Sequence, residues 1–112
     1  MPHDPKKLLH DMRKATDRIA RFVGQRTFDD FVSDDYFRSA VERQFEIIGE
    51  AMTRLQKLAP NVASQISNQK KIAGFRNALI HDYDGIDDKI TWNVILKHLP
   101  ILRKELDELL AN

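Results

Sequence analysis

Three apolar stripes at helical spacing constrain this 112-residue chain more than any other feature. Leu8, Met12, Ala15, Ile19 and Phe22 follow at steps of four, three, four and three, so they line one face of a helix. Phe37, Val41, Phe45, Ile48, Met52 and Leu55 do the same over a longer run, widened by Ala40, Ile47 and Ala51. Trp92, Ile95, Leu99, Leu102, Leu106 and Leu109 form the third stripe. No stretch alternates apolar and polar residues as a half-buried strand would. The expected fold is all-α: a bundle of four helices in one domain spanning 1–112.

The expected boundaries follow from caps and breakers. Asp4 caps a first helix over about 5–23, with Pro5 in its first position and Gly24 as its stop. Residues 25–33 read as a short link that tucks Phe28, Phe31 and Val32 inward. Ser33 or Asp34 starts a long central helix that Pro60 ends. Gly49 inside it costs about 1 kcal/mol against alanine, which suggests a close helix approach. After a polar link at 59–68, a third helix takes 69–82 on Ile72, Phe75 and Leu79, and a turn follows at Tyr83-Asp84-Gly85. Asp87 or Asp88 caps the last helix, which Pro100 should kink.

Composition narrows the function. The net charge is +1, so a nucleic-acid footprint would have to be local. Helix one offers one in Lys6, Lys7, Arg13, Lys14, Arg18 and Arg21, although such a surface also serves as an ordinary solvated face. There is no cysteine, which removes disulfides and thiol nucleophiles and fits a reducing cytoplasm. The start, MPHDPKK, lacks the apolar core of a signal peptide, and no apolar run reaches the ~20 residues of a membrane span. The expectation is a cytoplasmic protein with no membrane association.

The chemistry gathers near the end of helix three, in Arg76-Asn77-Ala78-Leu79-Ile80-His81-Asp82-Tyr83. Asn77 and His81 are four apart and stack on one helix face. Arg76 is turned from His81 by about 140°, but its side chain is long enough to reach a shared phosphate-sized site. A helix C-terminus favours the imidazolium, which would raise the pKa of His81. These groups suit metal-free cleavage of an RNA backbone: a histidine takes the 2′-hydroxyl proton, and an arginine binds the phosphate. Two such histidines would serve base and acid roles, which a C2 dimer joining two third helices would supply. An Arg-x4-His spacing alone also fits a structural helix end, with Arg76 paired to Glu46 or Glu50.

Glu42, Glu46 and Glu50 repeat at four-residue spacing. Arg38, Arg43 and Arg54 balance them as a solvated face; for Glu50, a supporting role at the site stays equally open. His3, His10 and His98 read as surface residues. Asp82, Asp84, Asp87 and Asp88 lack the glycine and terminal glutamate of an EF-hand loop, so calcium is rejected. No metal or cofactor is expected.

From about Pro5 to Leu110 the sequence resembles the HEPN superfamily, and within it the HepT-like toxins. RNALIHDYDGID is similar to that family's R-N-x-x-x-H-x-Y signature. Phe45 to Ala51 resembles its second helix, and Trp92, Ile95, Leu99 and Pro100 resemble its last. The resemblance implies a homodimeric four-helix HEPN bundle with the active cleft at the dimer interface. It implies a metal-independent endoribonuclease toxin of a type II/VII-like toxin-antitoxin system. Arg76 and His81 would be the catalytic pair, with Asn77 between them. It also implies a minimal nucleotidyltransferase antitoxin that can transfer AMP from ATP to the motif tyrosine, here Tyr83, or neutralise by covering the cleft. Another class of function fits the same residues: a non-catalytic helical module that binds a nucleotide or works beside a nucleotidyltransferase.

Overall fold

The computed structural model describes residues 4–81 and 87–111, and the backbone alone for residues 76–81. Among the described residues the secondary structure is entirely helical.

The first helix, α1 (Pro5–Val23), has the expected ends. The Asp4 carboxylate accepts from the Lys6 N–H at 2.8 Å, and Gly24 closes the helix at φ +49°, a left-handed conformation that glycine tolerates. Helix α3 (Asp35–Leu58) starts where Asp34 accepts from the Phe37 N–H at 3.1 Å. Between them the expected link is itself a helix, α2 (Phe28–Ser33). Its start is a reciprocal cap: the Thr27 hydroxyl accepts from the Asp30 N–H, and the Asp30 carboxylate accepts from the Thr27 N–H at 2.9 Å. Phe31 is fully buried, but Val32 is 46% exposed, contrary to expectation. So short a helix buries one narrow face. Phe28 and Phe31 occupy it, and Val32 lies 100° round from Phe31.

The 59–68 link holds a four-residue helix, α4 (Pro60–Ala63). Helix α5 (Gln69–His81) follows, and Asp82, expected as its last residue, lies outside the described residues. The last run comprises α6 (Asp88–Asn93), a π-helical turn at Val94–His98, and α7 (Leu99–Ala111). Proline lacks an N–H and its ring crowds the carbonyl four residues back. The irregularity expected at Pro100 takes the form of a widened turn just ahead of it, where the Leu99 N–H reaches the Val94 carbonyl.

Helix α3 is central: α1 and α5 both pack on it, and α7 packs on α1. Met12, Ala15 and Ile19 of α1 are fully buried, as are Val41, Met52 and Leu55 of α3 and Leu106 of α7. Each large side chain so buried contributes roughly 1.5–3 kcal/mol. Trp92 joins the last run to the others, with its ring 5.5 Å from Phe31 and 6.4 Å from Phe37. Helices α1 and α7 are antiparallel and cross-linked by ion pairs: Arg13 donates to Asp107 and Asp17, and Arg103 reaches Asp17 at 3.1 Å. Among the described residues, no helix is long and apolar enough to cross a membrane.

Candidate active site

The sequence-predicted site rides on α5, so what fixes α5 fixes the site. Its start is clamped. Asn68 adopts a left-handed conformation (φ 59°), which asparagine accepts more readily than most residues, and its carbonyl takes the Ile72 N–H at 3.0 Å. The preceding residue, Ser67, donates through its N–H (3.1 and 3.2 Å) and hydroxyl (2.7 Å) to the Glu105 carboxylate of α7. Gln69 accepts from Gln56 of α3 at 3.1 Å. Further along, the Phe75 ring meets Phe45 of α3 edge to face, 5.2 Å between centroids.

Arg76, Asn77 and His81 follow this anchored segment within α5, and His81 is its last residue. Their backbone register is the expected one: Asn77 and His81 lie about 40° apart around an ideal helix, with Arg76 about 140° from His81. Tyr83 lies outside the described residues. So do Asp82 and Asp84 of the acidic segment. Asp87 serves as a helix cap, accepting from the Lys89 N–H at 2.9 Å.

The carboxylates of α3 show different environments. Glu46 and Glu50 each hold a cation of their own helix: Arg43 reaches Glu46 at 3.5 Å, and Arg54 reaches Glu50 at 2.9 Å. Glu50 is exposed. Glu42 is half-buried, and burial pushes its carboxyl above the usual range; Arg38 opposes the shift, and Asp88 and Glu46 add to it. Among the described residues, no cluster of histidine, aspartate and glutamate is grouped to hold a metal ion.

Beside α5 lies a feature that residue patterns did not reveal. An apolar cavity of about 150 Å³ opens between α5 and the last run, with Phe45 and Ile48 of α3, Ile72 and Phe75 of α5, and Leu99 and Leu102 of α7 in its walls. His98, exposed as expected, also lines it. The one hint in the sequence was Pro100, which displaces the helix turn bordering the cavity.

Comparison with known proteins bears on this segment. The family described as ribonuclease HepT-like matches residues 12–109, a span that includes Arg76, His81 and Tyr83. A protein of Caldanaerobacter subterraneus subsp. tengcongensis named "Putative RNase" is 40% identical over 103 residues, covering 92% of this chain and 90% of its own. A "Putative RNase" of Methanocaldococcus jannaschii is 34% identical, covering 97% of this chain and 89% of its own. The "Probable ribonuclease HepT" of Thermococcus cleftensis is 31% identical, covering 97% and 98%. No solved structure matches significantly.

Proposed function

Because the chain belongs to the ribonuclease HepT-like family, we propose that it is a metal-independent endoribonuclease and the toxin of a toxin-antitoxin pair. The observation that carries this reading is the family match across the α5 segment holding Arg76 and His81. Two copies would bring their α5 helices to one cleft. There His81 takes the proton from a ribose 2′-hydroxyl as the 2′-oxygen attacks phosphorus. The bond from phosphorus to the 5′-oxygen breaks, and the leaving oxygen takes a proton from the second copy's histidine or from water. Arg76 binds the non-bridging oxygens, where negative charge builds up. Asn77 orients the phosphate, and Glu50, on the neighbouring helix α3, supports the site. Cleavage leaves a 2′,3′-cyclic phosphate and a 5′-hydroxyl.

Control would come from a minimal nucleotidyltransferase. The Tyr83 phenol oxygen attacks the α-phosphorus of ATP, the bond to pyrophosphate breaks, and the phenolic proton passes to base. An anionic AMP two residues from His81 would fill the cleft and repel RNA phosphate. The test is RNA cleavage by the purified chain in EDTA, wild type against His81→Ala. Cleavage by the wild type alone, with cyclic-phosphate ends, supports the reading; equal cleavage by both proteins, or by neither, refutes it.

A further inference from the structure

The structure sorts the cations of α1 into two groups. Arg13 is turned toward the bundle, bound by Asp107 and Asp17, and Lys7 holds Asp11 at 3.1 Å. Lys14, Arg18 and Arg21 form no ion pair among the described residues. Lys14 and Arg21 are exposed and Arg18 is half-exposed. At 100° per residue these three fall within about 60° of one another, on the side of α1 opposite Met12 and Ile19. They form an outward ridge about 10 Å long.

Charge is segregated along the chain. Residues 5–23 carry six cations against two carboxylates, a net +4 in a chain whose total is +1. Of those carboxylates, Asp17 is held by Arg13 and Arg103, and Asp11, at the N-terminal end of the ridge, is held by Lys7. The four aspartates 29, 30, 34 and 35 lie around α2 instead. A solvated helix usually pairs opposite signs at i,i+4, but Lys14 and Arg18 repel at that spacing. Three cations on one face, unpaired among the described residues, suit a polyanion. Helix α1 docks on α3 and α7, and α5 docks on α3.

We propose that Lys14, Arg18 and Arg21 bind the phosphate backbone of the RNA substrate away from the α5 site. This rests on the ribonuclease reading above. Its energetics are those of counterion release, with no base readout.

The test uses the full chain and 2′-O-methyl RNA, which has no 2′-hydroxyl to attack phosphorus. Affinity is followed by fluorescence anisotropy across a range of KCl concentrations. Wild type is compared with the triple variant Lys14→Gln, Arg18→Gln, Arg21→Gln and with a control of equal charge loss elsewhere, Lys57→Gln, Lys97→Gln, Lys104→Gln. Losing three phosphate contacts should flatten the slope of log affinity against log salt by about 2 and weaken binding at low salt by at least about tenfold. The control should change both by clearly less. An unchanged slope in the ridge variant, or an equal change in the control, overturns the proposal. So does lost capture of an acidic protein partner with RNA affinity intact. Parallel cleavage assays in EDTA separate the two readings. Wild-type cleavage with an inert ridge removes the ridge alone. Ridge-dependent binding without wild-type cleavage removes the ribonuclease alone.

Discussion

The ring of Phe75 stands edge-on to that of Phe45, with centroids 5.2 Å apart and planes at 82°. Phe45 is 5% exposed, so α5 is tied to the core one residue before Arg76. Phe75→Ala should cost about 2–3 kcal/mol in urea unfolding, less than the ~3–5 of a fully buried phenylalanine because Phe75 is only half-buried. Phe75→Leu should restore much of that stability. If the ribonuclease reading holds, cleavage should fall in Phe75→Ala before the fold is lost, since the catalytic helix is what loosens.

Glu105 holds the entrance to the same helix by accepting from the Ser67 N–H and hydroxyl. Glu105→Ala leaves a partly exposed turn that water can solvate, so the cost should be about 1 kcal/mol. Amide hydrogen exchange should localise the effect, with faster exchange at Ile72, whose N–H bonds to Asn68. Uniformly faster exchange throughout the chain would contradict this.

Glu42 predicts a pH dependence. Its carboxyl titrates above the ordinary value of 4.5, mainly because burial disfavours the charged form. The folded chain therefore keeps this proton at a pH where the unfolded chain has released it. The favourable contribution is complete below the unfolded value and is lost as pH rises through the raised folded value. Glu42→Gln should be at least as stable as wild type at neutral pH, and that relative advantage should shrink as pH falls through the raised folded value towards 4.5, with little further change below it. Chemical denaturation across pH measures it; a variant much weaker than wild type at neutral pH would show that the carboxylate makes a needed bond.

Tyr83→Phe keeps the ring and removes the oxygen nucleophile. If the toxin-antitoxin reading holds, the variant co-expressed with a candidate nucleotidyltransferase should carry no AMP adduct by mass spectrometry, and growth arrest should persist. Suppression of toxicity without an adduct would point to neutralisation by binding.

The long helices were legible because their ends are marked by side chains acting locally. Asp4, Asp34 and Asp87 each bond to a backbone N–H two or three residues on. Helix α2 was missed because six residues show no periodicity, although the Thr27-to-Asp30 spacing held its reciprocal cap. The helix carrying Arg76, Asn77 and His81 was legible, and the described backbone is helical through all three. The cavity and the role of Arg13 were not legible, since both depend on elements distant in sequence. Nothing local distinguishes Arg13, whose partner is Asp107, from Lys14, which has no such partner among the described residues.

That bridge between Arg13 and Asp107 spans 94 positions. At a synthesis rate of about 5–20 residues per second, the two ends of the contact emerge roughly 5–20 s apart. Helix α1 can meet α3 early, but its surface for α7 stays uncovered until the last run has left the ribosome. Closure of α1 against α7 therefore waits for the last run. A chain interrupted before residue 107 lacks this bridge, with Arg13 unable to reach its second carboxylate.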